Sequence, residues 1–213
     1  MKLYNYFRSS AAYRVRIALG LKGLSYDYLS VHLAKGEQYL PEFTAISPQS
    51  LVPVLEEDSG LRLYQSLAIM EYLDETHPTP PLLPADPAAR NRVRSLALII
   101  ACEIHPLNNT RVLNYLTGRL GVSEEQKLEW YHHWVKTGFA ALEKRLADEP
   151  ATGRFCHGDA PGFADCVLVP QVANARRFKV DLCAFPTIVR INDACVELEA
   201  FKQAAPERQP DAQ

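Results

Sequence analysis

Two hydroxyl side chains, Ser9 and Ser10, stand side by side near the start of the chain. Arg8 lies just before them, and Arg14 and Arg16 follow within the next turns. Leu3 to Tyr6 alternates as a short strand, while Ala11, Val15, Ala18 and Leu19 recur at helical spacing up to Lys22, where Gly23 stops the run. The serine pair therefore falls at a predicted helix start. Such a start offers unpaired backbone N–H groups and the positive end of the helix dipole, so it favours an anion. A hydroxyl donor and a nearby guanidinium add charge-assisted contacts. The chemistry that suits this corner is the holding of a thiolate carried by a small-molecule cofactor. A free thiol of pKa near 8.5 is only about 3% ionised at neutral pH; lowering that pKa by about two units makes roughly three quarters of it thiolate, for about 2.7 kcal/mol. Ser9 would act as a donor and need not ionise.

Composition narrows the classes of function around this corner. The 213 residues suffice for one large domain or two small ones, and 47% hydrophobic with 23% charged residues is ordinary for a globular protein. A formal net charge of −2 gives no reason to expect nucleic acid or a membrane surface as partner. No apolar run approaches the length of about 18 residues that a bilayer demands, and Met1-Lys2-Leu3-Tyr4-Asn5 does not read as a signal peptide. The five cysteines, Cys102, Cys156, Cys166, Cys183 and Cys195, are odd in number, scattered and free of any C-x-x-C pair. They read as small apolar packing residues in a reducing cytoplasm, with no disulfide scaffold and no metal-ligand spacing.

The elements that must position the corner follow in order. Tyr26 to Val31 alternates as a second strand, so the first stretch is a strand–helix–strand unit with parallel pairing. Lys35 to Phe43 reads as an irregular helix or loop. Two short apolar runs, to Leu55 and from Leu61 to Tyr64, flank Glu57-Asp58-Ser59-Gly60 and predict an antiparallel hairpin. Pro53 cannot donate to that ladder, and a cis Val52-Pro53 bond is expected. Gln65-Ser66 opens a helix to about Glu75, with Ser66 read as its N-cap. From His77 to Pro87, five prolines in eleven residues mark a linker.

Beyond the linker everything reads helical. One helix runs from Asp86-Pro87 to about Leu120, kinked by Pro106. A second is opened by the capping box Ser123-Glu124-Glu125-Gln126 and buries Leu128, Tyr131, Val135, Phe139, Leu142 and Leu146. A third spans Phe163 to about Phe178 and carries Pro170. A fourth spans Pro186 to Ala204, with Ile188, Ile191, Ala194 and Leu198 on one face.

This order of parts resembles the cytosolic glutathione transferases. Ser9-Ser10 with Arg14-Val15-Arg16, Gln65-Ser66-Leu67-Ala68-Ile69, the Pro-Thr-Pro of the linker and Val169-Pro170-Gln171-Val172-Ala173-Asn174-Ala175 are similar to the zeta class over essentially the whole chain. The resemblance implies an α/β plus all-α fold. A thioredoxin-like, glutathione-binding domain would occupy residues 1–77, a linker 78–86, and an all-helical domain contributing the substrate pocket 87–213. That class includes maleylacetoacetate isomerases and bacterial maleylpyruvate isomerases.

Residue by residue, the resemblance implies that Ser9 bonds the sulfur of reduced glutathione, with Ser10 and Arg14 helping to hold the anion. Val52, before Pro53, would pair its backbone with the cysteinyl unit. Gln65 and Ser66 would grip the γ-glutamyl end, and Gln38 would face the glycyl end. His105 and Asn109 would close over the site from the second domain. Arg8, Arg111, Arg176 and Arg177 suggest a substrate with more than one carboxylate, because guanidinium binds carboxylate bidentately. Arg8 and Arg176 are counted with Ser9, Ser10 and Arg14 as catalytic candidates. Two departures are visible: Ala11 stands where the class usually has cysteine, and Gly162 stands where it usually has a serine or threonine cap. Neither touches an isomerisation that uses the sulfur of glutathione itself.

The reaction implied is cis–trans isomerisation of a maleyl keto acid by thiolate addition, bond rotation and elimination, in aromatic (gentisate) catabolism. Maleylpyruvate is favoured over maleylacetoacetate, since Arg111 and Arg176 suit a compact dicarboxylate. A glutathione-consuming transferase acting on haloacids or other electrophiles, and a non-catalytic binding member, are the alternatives. The fold is usually homodimeric and cytoplasmic. His132-His133 read as surface or partly packed residues, His157 as a loop residue and Asp165 as a structural hydrogen-bonding residue of the second domain.

Overall fold

The computed structural model describes residues 1–212. They form two compact units, the first made of Met1–Leu82 together with the residues from Val196 onward, the second of Leu83–Cys195. The boundary lies inside the proline-rich segment, but the helical domain expected to run to 213 ends near Val196. The chain beyond that point packs with the first unit.

The first unit is built on a four-stranded sheet: β1 (Lys2–Asn5), β2 (Asp27–Ser30), β3 (Val54–Glu56) and β4 (Arg62–Tyr64), in the spatial order β2-β1-β3-β4. β1 pairs parallel with β2, Leu3 opposite Tyr28, and antiparallel with β3, Leu3 opposite Leu55; the β3–β4 pair is the expected hairpin. The parallel pair is joined by α1 (Ser10–Lys22), which Gly23 ends in the left-handed conformation at φ 65°. Leu33–Lys35 and Glu37–Tyr39 are single 3-10 turns before the short α2 (Pro41–Thr44), as the irregular stretch anticipated. The Val52-Pro53 bond is cis, as is Thr79-Pro80, which sequence reading did not foresee.

α3 (Ser66–Thr76) corrects one detail. Ser66 is the first helical residue rather than the N-cap; Gln65 holds the cap position at φ 65°, without a side-chain cap bond. After a break at Glu197-Leu198 comes α9 (Glu199–Ala204), so the single fourth helix expected to Ala204 is two. α9 buries Phe201 and Ala204 and packs against α1. Close approach is possible because Gly20 faces it: a methyl there would fall 3.2 Å from Ala200 Cβ.

The second unit opens with α4 (Pro87–Leu98), capped by Asp86, whose carboxylate accepts the Ala89 N–H at 2.8 Å. The expected kinked helix to Leu120 does not form. A π-helical turn, Ile99–Ile104, follows α4, the chain then leaves helix, and α5 (Thr110–Gly118) begins afresh at Asn109. Pro106 has no N–H to give a continuing helix, and the Asn109 side chain offers a new cap by accepting from the Arg111 N–H at 3.1 Å. α6 (Glu124–Asp148) starts on the anticipated capping box, with Gln126 N–H to Ser123 Oγ at 3.2 Å and Ser123 N–H to Gln126 Oε1 at 3.0 Å. Its stripe is buried except Leu128, which is exposed because it lies in the first turns of the helix, before the packed stretch. At Gly138 a methyl would meet Ile104 Cγ1 at 2.3 Å, so glycine lets α6 lie against the π turn.

α7 (Phe163–Arg177) carries Pro170 and is buried almost continuously from Phe163 to Val172. α8 (Pro186–Val196) buries Ile188 and Ile191. Asp165, 1% exposed, accepts the N–H groups of Cys156 and Gly162 at 2.9 Å each, so it is the structural residue it was read as. Cys156, Cys166 and Cys195 are buried, while Cys102 in the π-helical turn and Cys183 in the turn before α8 are exposed, against the reading of all five as packing residues. Among the described residues no group of side chains could hold a metal ion, and no helix is long and apolar enough to cross a membrane.

Candidate active site

The first unit brings the two helix starts together. Ser9 caps α1 from an extended conformation (φ −70°, ψ 113°), and its Oγ accepts the Ala12 N–H at 3.2 Å. That bond uses a lone pair and leaves the hydroxyl proton to be donated elsewhere. Ser10, the first residue of the helix, is buried. One turn on, Arg14 is 3% exposed, and its Nη1 donates to Ser66 Oγ at 3.2 Å. Ser66 begins α3, so a buried guanidinium ties the N-terminus of α1 to that of α3. Positive helix-dipole ends, hydroxyls and a guanidinium converge on one region of a single unit, a setting for a ligand with more than one anionic group.

Around these, the chain holds less usual backbone. Gln65 sits at φ 65°, ψ 115°, outside the regions an L-residue readily adopts, and its Nε2 donates to Gln49 Oε1 at 3.0 Å. Strain of this kind persists only where the surroundings over-determine it, which happens at binding sites. Val52 is 8% exposed and precedes β3, so its peptide groups lie outside the strand pairs of the ladder. Pro53 is buried after it. The Oε1 of Gln38 is buried with no partner among the described residues, an acceptor waiting for an N–H. This donor and acceptor set fits a peptide-like thiol with carboxylate ends.

Arg8 is exposed on the turn after β1, its guanidinium 4.8 Å from the Phe7 ring centroid. The other candidates belong to the second unit. His105 follows the π turn and gives its N–H to Ile100 O at 2.9 Å. Asn109 spends its side-chain oxygen on the α5 cap, which sequence reading had not assigned to it. Arg111 is exposed in the first turn of α5. Arg176 pairs with Asp193 at 3.1 Å, both about half exposed, and Arg177 lies over the Phe178 ring at 4.8 Å. An exposed pair of this kind is worth little and exchanges readily for another carboxylate.

Asp211, which the sequence does not single out, and Arg16, which it marks only as a cation near the helix start, belong to the same corner. Arg16 is 1% exposed and donates to Asn5 Oδ1 at 3.1 Å, Phe7 O at 3.1 Å and Tyr6 O at 3.4 Å. Asp211 accepts the Phe7 N–H at 3.2 Å.

Residues 1–75 match the model of the glutathione S-transferase N-terminal domain, and residues 135–207 that of the glutathione S-transferase C-terminal domain. The chain belongs to the glutathione S-transferase family. Among other members, a maleylpyruvate isomerase of Ralstonia sp is 51% identical over 212 residues, with 100% of both chains covered. A probable maleylacetoacetate isomerase of Vibrio cholerae is 52% identical over 212 residues, covering 99% of this chain and 97% of that one. The holo structure of a maleyl pyruvate isomerase, described as a bacterial glutathione S-transferase of the zeta class, superposes with a TM-score of 0.98 at 51% identity over all of both chains. The structure of a maleylacetoacetate isomerase from Methylobacterium extorquens AM1, with bound malonate and GSH, gives 0.97 at 45% identity, again over all of both chains. This transferase therefore has the zeta-class fold throughout, as the resemblance implied.

Proposed function

We propose that this glutathione transferase is a glutathione-dependent cis–trans isomerase that converts maleylpyruvate to its fumaryl isomer. The observation that carries the reading is the joined pair of helix starts, Ser9-Ser10 on α1 and Gln65-Ser66 on α3, linked through Arg14. Support comes from the relatives alike over the whole chain, which are named as isomerases of maleylpyruvate or maleylacetoacetate. Bound glutathione would supply a nucleophilic sulfur that adds to the cis double bond and leaves again once the bond has rotated.

The chain's own residues do the rest. Ser9 donates its hydroxyl proton to the sulfur, and the N–H groups opening α1 lie beside it, so the anionic form is favoured over the thiol. Ser66 and the start of α3 take the α-carboxylate of the γ-glutamyl end, with Arg14 behind Ser66 and Gln65 held to the same end. The Val52 peptide aligns the cysteinyl unit, and Gln38 receives an N–H from the glycyl end. Arg8, on the turn before Ser9, fixes a substrate carboxylate and stabilises the carbonyl oxygen on which charge develops. The working form is a cytoplasmic homodimer.

The substrate is tested by generating maleylpyruvate and maleylacetoacetate enzymatically and following loss of the ultraviolet band of each, with and without glutathione. Glutathione-dependent turnover of maleylpyruvate, with the total thiol unchanged, is expected. Turnover of maleylacetoacetate alone would replace maleylpyruvate as substrate; stoichiometric loss of thiol would make the protein a conjugating transferase. Light scattering tests the dimer.

A further inference from the structure

The turn between β1 and α1 carries Arg8 and Ser9, and its peptide groups are held by side chains from far along the chain. Ser9 N–H closes the turn on Tyr6 O at 2.9 Å. The peptide N–H of Phe7 goes to Asp211 Oδ2 at 3.2 Å, and the carbonyl of Phe7 receives Arg16 Nη2 at 3.1 Å. The same guanidinium bonds Tyr6 O and, through Nε, Ala204 O at 2.9 Å, so it joins the turn to the end of α9. Asp211 is fixed in turn by the hydroxyl of Tyr28, bonded to Oδ1, and by Ser30 Oγ at 3.0 Å to Oδ2. Between α9 and Asp211, Gln209 donates to Gln203 O and Ala205 O at 2.8 Å each, which folds the segment on itself. Ala212 then packs on the cluster of Tyr6, Phe7, Val31, Phe43, Val52 and Val54.

We propose that residues 199–211 are a positioning clasp for the Ser9 turn, with Asp211 and Arg16 gripping the two sides of Phe7. Neither residue needs to touch glutathione or substrate. Charge-assisted bonds to both peptide groups of one residue leave the turn little freedom, and Ser9 Oγ is two residues away. Displacement of a donor by about 1 Å costs on the order of a hundredfold in rate, so a clasp remote from the reacting atoms still acts on them. The proposal rests on the reading of Ser9 as donor to the glutathione sulfur, and its test separates the two.

The test compares Asp211→Ala, Asp211→Asn and Ser9→Ala in the full chain, titrating bound reduced glutathione by its ultraviolet thiolate band, with circular dichroism to confirm folding. Asparagine keeps an acceptor for the Phe7 N–H. Loss of the carboxylate charge alone would favour the thiolate in both Asp211 variants. Positioning predicts instead that the alanine variant raises the thiol pKa by about one unit, tenfold in the ionisation constant, while the asparagine variant does not. An unmoved titration in folded Asp211→Ala, with Ser9→Ala moved, overturns the clasp alone. An unmoved Ser9→Ala overturns the reading of Ser9, and the clasp with it. Should Asp211→Ala fail to fold, Tyr28→Phe/Ser30→Ala strips Asp211 of its two hydroxyl partners and spares Phe7. A smaller rise in the same direction is then expected, and no rise overturns the proposal.

Discussion

Arg14 on α1 and Ser66 on α3 are 52 residues apart in the chain, and the guanidinium of the first donates to the hydroxyl of the second at 3.2 Å in a buried setting. One cation thereby serves two helix starts. It adds charge to the place where a γ-glutamyl carboxylate would rest, and it fixes the spacing between that place and the Ser9 corner.

Replacing Arg14 by Met keeps most of the volume and removes the bridge. The dissociation constant for reduced glutathione, measured by calorimetry, should rise by roughly tenfold or more, equivalent to about 1.4 kcal/mol or more. Lysine should not rescue it, since a point charge cannot reproduce the guanidinium fork. An unchanged constant would confine Arg14 to a packing role.

Ser9→Ala removes both a helix cap and a thiolate donor, so two readouts should move. Thermal unfolding should report a loss of about 1 kcal/mol, the usual cost of a lost serine cap. The hydroxyl favours the charged sulfur, so its removal raises the pKa of the thiol, and the rising limb of kcat/KM should shift to higher pH. Ser9→Thr, which keeps cap and donor, should restore both. A pH profile that stays in place would remove Ser9 from the thiolate.

Asp165 supports the start of α7 through two backbone N–H bonds, one on each oxygen. Asparagine can accept only one and turns an N–H toward the other, so Asp165→Asn should cost about 3 kcal/mol, close to the alanine variant. Burial pushes the Asp165 carboxyl above its ordinary value, and the N–H bonds offset this only in part. The folded state therefore binds this proton more tightly than the unfolded chain. Its ionisation takes stability away as pH rises from the ordinary carboxylate value through the raised one. Chemical denaturation across that window should show a fall in stability from this group that Asp165→Asn lacks.

Lys22, its side chain wholly buried, donates to Asp74 Oδ1 at 2.5 Å, His77 O at 2.7 Å and Pro80 O at 2.6 Å, while Asp74 also takes the Leu82 N–H at 2.7 Å. The pair pins the proline-rich segment to the first unit. Lys22→Met strands a carboxylate and should cost about 3–5 kcal/mol, lowering Tm by about 10 °C. Adding Asp74→Leu should recover part of that loss, because no unpaired charge then remains buried. If the double variant is worse than the single one, the cost lies in the linker carbonyls and not in the charge.

Much of this protein is legible in its amino-acid order. The helix start at Ser9-Ser10, the caps at Asp86 and Ser123, the stop at Gly23, the β3–β4 hairpin and the buried stripe of α6 are local events, set by residues a few positions apart, and sequence spacing records them. The gathering of Ser9, Ser10 and Arg14 at the start of α1 is legible for the same reason, since a helix start advertises itself through its own first residues. Family resemblance adds Val52-Pro53 and Gln65-Ser66, which no local rule would have joined to Ser9.

Other features are decided by competition between local signals or by contacts the chain makes at long range. The expected helix to Leu120 becomes two because Asn109 offers a cap where Pro106 withdraws a donor, and propensity alone does not weigh those against each other. Ser66 gives up the cap position because Gln65 is held in a strained conformation by what surrounds it. Above all, Arg16 reads as one more cation at the helix start and Asp211 as an ordinary charged residue until folding brings Phe7 between them, 204 residues from Asp211. By itself the sequence determined that hydroxyl and guanidinium groups would gather at one helix start, because that property is carried by neighbours along the chain. Only the tertiary structure decided what holds that start in place, because a peptide N–H and a carbonyl choose their charged partners by distance in space.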